Sequence, residues 1–398
     1  MTKRLPVTLT APGERALRSG HPWIFDQAIA RIKGEGTAGD LAIIFDRRKD
    51  RFLGIGLYDP DSPIRIRVLH QGKSVKIDAD FFAQRIAEAR ALRTHLLATD
   101  TNGYRLLHGE NDRLPGLVVD VYAGVAVLKL YTPVWFPYLD WILPAIQAST
   151  GAETTVLRLA RNVAASAATL GYSDGQILAG ELADENVVFR EHGVRFFASV
   201  LSGHKTGFFL DHRHNRKRVG ELAKGKQVLD VFSYAGGFSV HALAGGARRV
   251  VSVDISGPAM EAARANVELN DLDLSRHEGR VEDAFDALAE LLDAGEQFDL
   301  VIVDPPSFAK RATEIAGALK AYQKINSLAI PLVRPGGILL AASCSARVPA
   351  DDFFGVVEKT LRKSGRNFRE VERTFHDQDH PIDFPEGAYL KSAYYRLE

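Results

Sequence analysis

Apolar positions change their spacing twice along the chain, and the changes divide it. Short strand-like runs come first: Asp40-Leu41-Ala42-Ile43-Ile44-Phe45, Phe52–Tyr58 and Ile64-Arg65-Ile66-Arg67-Val68, the last two parted by Asp59-Pro60-Asp61-Ser62-Pro63. Runs of this length between Pro, Asp and Gly read as strands, and their natural packing is a small β-barrel over residues 1–74. Ile64, Ile66 and Val68 on one face put Arg65 and Arg67 on the other, open to a phosphate backbone. Gly72-Lys73-Ser74 reads as a linker. From Asp80 the period becomes helical through Phe81, Phe82, Ile86, Ala89, Leu92 and Leu96. Strands over 104–108, 116–120, 125–130 and 155–159, with a helix over 134–148, then make an α+β unit over 75–190. A further strand over 194–198 follows.

From 191 to 398 strand and helix alternate in the manner of a doubly wound parallel sheet. Strands fall over 227–232, 250–255, 298–304 and 337–343; helices fall over 238–244, 258–269 and 319–332. Ligands in such sheets bind beyond the carboxyl ends of the strands. Asp230, Asp254, Asp304 and Cys344 all stand at those ends.

The 398 residues are 46% hydrophobic and 25% charged, ordinary for globular domains. A single cysteine excludes an internal disulfide framework and a Cys-rich metal site, which fits a reducing cytoplasm. No leader or membrane-length apolar run is evident, so no membrane partner is expected. Fifty basic and fifty acidic residues cancel, so any nucleic-acid signal must be local. It lies in Arg47-Arg48-Lys49 with Arg51, and in Arg213-His214-Asn215-Arg216-Lys217-Arg218.

Phe232-Ser233-Tyr234-Ala235-Gly236-Gly237 is a glycine turn into a helix, where a missing side chain lets a ligand approach the backbone. It is not the G-x-G-x-x-G of dinucleotide folds, which leaves S-adenosylmethionine ahead of a nicotinamide. Asp254, 24 positions after Asp230, stands where a carboxylate accepts from ribose hydroxyls. Asp283 is placed to accept from an adenine amine or to cap the following helix. In Asp304-Pro305-Pro306-Ser307-Phe308 two prolines fix a turn that aims carbonyls and a carboxylate at a flipped base, with Phe308 as a stacking face. C5 of cytosine is not nucleophilic until something adds to C6, and a Cys344 thiolate supplies that addition while Asp304 stabilises the ring at N3. Read otherwise, Cys344 is a small apolar filler. His204 to Arg213 mixes cation, glycine, aromatic and acid as a loop over a ligand would. Lys205, Asp211, Arg213 and Arg216 are its candidate cofactor or RNA contacts.

With Ser343-Cys344-Ser345, His204-Lys205-Thr206-Gly207-Phe208-Phe209-Leu210-Asp211 and Phe384-Pro385-Glu386-Gly387-Ala388-Tyr389-Leu390-Lys391, these motifs closely resemble the bacterial 23S rRNA cytosine-5 methyltransferases of the large-subunit I type. Gly20-His21-Pro22-Trp23-Ile24-Phe25 is similar to the opening of that family's PUA domain, and Gly109 to Leu117 to its central domain. The resemblance implies a Rossmann-like α/β catalytic domain, S-adenosylmethionine, large-subunit rRNA and a Cys344 nucleophile. His212 stands where the family usually has Gln. A base-nitrogen (guanine N7 or N2) methyltransferase and a non-catalytic assembly factor remain as alternatives, and a homodimer is left open.

Overall fold

The computed structural model describes residues 2–48 and 50–398; Lys49 of the first basic run lies outside them, as does Met1. The chain forms two compact units, one comprising Met1–Arg190, Phe197–Leu210 and Gln378–Phe384, the other Glu191–Phe196, Asp211–Asp377 and Pro385–Glu398. Among the described residues no helix is long and apolar enough to cross a membrane.

In the first unit, six strands pair in the order Trp23–Phe25, Ile64–Gln71, Phe52–Tyr58, Leu41–Phe45, Arg4–Leu9, Ile29–Ile32. Three of them were not expected, and Arg4–Leu9 joins by parallel pairing to Leu41–Phe45. Both faces of this sheet are covered. Ala42, Ile44, Ile66 and Val68 pack with Val7, Leu9 and Leu17. Leu41, Leu57 and Leu69 face the other way, into one core with Phe82, Ile86, Trp135 and Ile142. The small sheet thus has a core of its own on one face and shares the core on its other face with the central α+β segment, within one compact unit. The central sheet has five strands, ordered Gln176–Ala179, Thr154–Leu159, Val125–Leu130, Leu117–Tyr122, Gly103–His108.

The second unit is built on seven strands: β1 (Gln227–Val231), β2 (Arg249–Asp254), β3 (His277–Val281), β4 (Phe298–Val303), β5 (Val333–Ser343), β6 (Phe368–Thr374) and β7 (Lys391–Leu397), in the order β3-β2-β1-β4-β5-β7-β6. The first five run parallel, and β7 enters antiparallel between β5 and β6. Its helices are α1 (Arg213–Leu222), α2 (Gly237–Ala244), α3 (Gly257–Leu269), α4 (Ala284–Asp293), α5 (Ile315–Ala329) and α6 (Ala350–Lys363). Strands covered on both faces read as near-continuous apolar runs, which is why β1, β2, β4 and β5 were legible. Val231, Val253, Val303 and Ala341 form one core with Leu288, Tyr322, Ile325 and Phe353 from α4, α5 and α6.

A buried carboxylate ties α1 and α2 together. Glu191 is fully buried and accepts two bonds from the Arg216 guanidinium, at 2.7 and 2.6 Å, and its Oε1 lies 2.9 Å from His241 Nε2. Burial pushes its pKa up, but the Arg216 charge and hydrogen bonds and His241 outweigh burial and hold it below the usual carboxylate range. Because the folded pKa is depressed, this stabilisation is complete above the unfolded value, about 4.3, and is lost as pH falls below it. Glu191→Gln should destabilise the fold by about 3–5 kcal/mol at neutral pH, since the buried Arg216 charge loses its carboxylate. Denaturant melts should show the gap to wild type narrowing as pH falls below about 4.

Candidate functional site

The turn after β1 carries concentrated backbone strain. Phe232, Tyr234 and Gly236 all have positive φ, at 66°, 47° and 74°. A non-glycine residue held there costs about 1–3 kcal/mol and persists only when its surroundings over-determine it. Here they do: the Phe232 and Ser233 amides both donate to the Val253 carbonyl, and the Tyr234 amide donates to Asp254 Oδ2 at 2.9 Å. A side chain on Gly236 would meet Ala263 Cβ at 2.8 Å, and one on Gly237 would meet Arg216 Cδ at 2.8 Å. The glycines are thus required first by helix packing, a reason distinct from the ligand approach expected of them.

Two acids flank this turn, and a third, Asp283, follows β3. Asp254 is oriented by two backbone donors, Tyr234 on one oxygen and Ser256 on the other. Asp230 is buried; Ser239 donates to its Oδ2 from both amide and hydroxyl, while its Oδ1 has no hydrogen-bond partner. Burial, with Asp304 and Asp254 adding like charge, pushes the Asp230 carboxyl up to about 7. Asp283 caps α4 through the Phe285 amide, the alternative its position allowed. Ile255 and Val281, which follow Asp254 and end β3, are 71% and 60% exposed. They were missed, although an apolar residue next to a strand-end acid is a readable signal for a ring face. Carboxylates turned by backbone donors, an orphaned acid oxygen and bare apolar side chains fit the ribose, the cationic centre and the adenine of S-adenosylmethionine.

The turn after β4 and the end of β5 are bound to each other. Cys344 Sγ lies 3.8 Å from the Pro305 carbonyl oxygen, to which the thiol donates. Ser307 Oγ and Ser345 Oγ are 2.8 Å apart, and the buried Tyr322 hydroxyl meets Ser343 and Ser345 at 2.8 and 3.2 Å. Asp304 and Cys344, 40 positions apart, are in this way held at one edge. Pro305 is buried and Pro306 exposed. Burial, with the carboxylates of Asp304 and Asp211, pushes the Cys344 thiol up to about 12. Lys391, at the start of β7, was given no role; its ammonium is buried and donates to the carbonyls of Ser345, Val348 and Tyr389, fixing the loop after the thiol. Asp211 accepts from the Tyr389 hydroxyl at 2.9 Å.

Several expected contacts serve the fold instead. Arg213 is wholly buried, 2.9 Å from Asp377, and Arg216 is spent on Glu191, so neither guanidinium is open to phosphate. Arg67 lies on the covered face of its sheet, 3.4 Å from Asp59, and burial lowers its pKa. Arg65 is half-buried and donates to the Asp59 carbonyl. Phe308 packs on Tyr322 with ring centroids 5.0 Å apart, at the margin of the core rather than as an open stacking face. Lys205 lies in the first unit with an exposed side chain, and its backbone carbonyl accepts from the Lys129 ammonium.

Residues 104–396 match the S-adenosylmethionine-dependent methyltransferase family, and residues 7–71 match the PUA-like domain. A Deinococcus radiodurans protein named ribosomal RNA large subunit methyltransferase is 46% identical, covering 99% of this chain and 98% of that one. An Enterobacter protein named ribosomal RNA large subunit methyltransferase I is 37% identical, covering 97% of both. Among solved structures, SMU.776 complexed with SAH has the same fold, with a TM-score of 0.82 and 23% identity over 99% of this chain and 100% of that one.

Two outcomes follow from the geometry. Asp254→Ala should weaken S-adenosylmethionine binding by about 10–100-fold in calorimetry, the loss of hydrogen bonds to a charged acceptor. The rate of iodoacetamide labelling at Cys344 should rise about tenfold per pH unit from 7 to 10 without a plateau, because so little thiolate is present; a plateau near pH 8.5 would show an unperturbed thiol.

Proposed function

Because this chain belongs to the S-adenosylmethionine-dependent methyltransferases, we propose that it methylates C5 of a cytosine in large-subunit ribosomal RNA through a covalent Cys344 adduct. The observation that carries this reading is the Cys344 thiol seated against the Pro305 carbonyl, within the turn that presents Asp304. The RNA class is supported by the names of relatives that match nearly the whole chain and by the PUA-like segment.

Bound S-adenosylmethionine supplies an electrophilic methyl group on a sulfonium. In the proposed reaction the Cys344 thiol gives up its proton to water or a neighbouring carboxylate and the sulfur adds to C6, forming an S–C bond and moving the ring's electron pair toward C5 and N3. Asp304, carrying a proton in this step, donates it in a hydrogen bond to N3 and steadies the negative charge that develops there. C5 takes the methyl group and the sulfonium leaves as a neutral thioether. Water or a neighbouring carboxylate removes the C5 proton, the S–C6 bond breaks, and the aromatic ring and the free thiol are restored. Lys391 is unsuited to take that proton as it stands, since three carbonyls accept from its ammonium.

The high pKa of Cys344 favours a second reading, methylation of a base nitrogen beside an inert thiol. One experiment separates the two. Wild-type and Cys344→Ala proteins are incubated with S-adenosylmethionine and unmodified large-subunit rRNA, which is then digested and its nucleosides identified by mass spectrometry. The expected result is 5-methylcytidine with wild type and a loss of at least about 10³-fold in the folded variant; a methylated purine that survives the substitution would establish the second reading.

A further inference from the structure

The loop that leads into α1 places a histidine behind the strand-end carboxylate. His212 Nε2 lies 3.3 Å from Asp304 Oδ1, with only 8% of the His212 side chain exposed. Nε2 makes no fully formed hydrogen bond to any group, and the Asp304 carboxylate is the acid that faces it.

The ring is not free to swing away. Asn215 Nδ2 meets its other nitrogen at 3.0 Å, and Phe238 from α2 packs edge-on with ring centroids 5.5 Å apart. Asn215 is itself pinned, with the hydroxyls of Thr374 and Tyr394 at 2.8 and 3.0 Å from its Oδ1. A chain of contacts from β6 and β7 through Asn215 thus fixes one imidazole nitrogen and points the other at the carboxylate.

We propose that His212 is a positioning residue for Asp304: it donates from Nε2 to Oδ1 when a base is seated, which fixes the carboxylate's rotation and turns Oδ2 to the pyrimidine edge. The inference rests on the cytosine reading above. In this reading His212 acts only through Asp304, so its effect belongs to the chemical step. A reacting group displaced by about an ångström loses on the order of 10²-fold in rate.

The test is steady-state methylation of large-subunit rRNA by His212→Ala, His212→Asn and His212→Gln, with thermal melts and S-adenosylmethionine calorimetry on each. Gln reaches about as far as Nε2 and keeps a donor there; Asn reaches only as far as Nδ1. The expected result is a fall in kcat of about 10²-fold for Ala and Asn, with the KM for RNA and the cofactor affinity within about twofold of wild type and kcat substantially restored in Gln. Asn keeps a polar partner for Asn215, so it carries the test if Ala fails to fold. Wild-type kcat in the Ala or Asn variant, or a Gln variant as slow as Ala, overturns the proposal. Absence of 5-methylcytidine from the wild-type reaction instead removes the reading on which it rests.

Discussion

The parallel register across β2, β1, β4 and β5 is the constraint on which the site depends. Val231 pairs with Val253 and Val303, and Val303 pairs with Ala341, so four strands finish within a few residues of one another. A slip of one residue in any of them would send its core side chains to the opposite face, so the buried valines fix the register more firmly than any polar contact at the site. Once they do, Asp254, Asp304 and Cys344 emerge at one edge without further instruction. The clamp of Ser307, Ser345 and Tyr322 then has only a short gap to close.

This division of labour explains what was legible in the sequence. The apolar strands and the chemistry-bearing residues at their ends could be read because both follow from chain order and periodicity. Partners of charge could not. Arg213 and Arg216 look like a basic surface, yet Asp377 lies 164 positions from Arg213 and Glu191 lies 25 from Arg216. Arg67 was placed on an open face because nothing local says that a second layer covers it. The same blindness hid the role of Lys391, whose contacts with three carbonyls only the fold creates. Arg4–Leu9 escaped for another reason: it gains its place by parallel pairing with a strand more than 30 residues away, which leaves no turn signature.

Charges buried in the catalytic unit carry different loads. Glu191 accepts from Arg216 and meets His241, and its position at the junction of α1 and α2 makes it a fastening of the fold. Asp230 and Asp304 are paired less closely, one with an orphaned oxygen and the other with His212 Nε2 at 3.3 Å. A fastening needs complete pairing, whereas a site must keep some capacity unspent for the ligand. The contrast between saturated and unsaturated carboxylates within one domain separates the two roles better than sequence position does.

The acidic edge also links cofactor and nucleophile. Burial, Asp304 and Asp211 together keep the Cys344 thiol protonated, and burial with Asp304 and Asp254 raises Asp230. Surplus negative charge of this kind is complementary to a sulfonium, and the same charge suppresses a thiolate. The two effects have one source. A cation bound at this edge must favour thiol ionisation, and by reciprocity an ionised thiol must favour the cation by the same free energy. In the proposed reaction, the acids that make the edge inhospitable to a thiolate in the absence of a cation are therefore the ones that attract the sulfonium able to relieve it, which ties thiol ionisation to the arrival of the methyl donor.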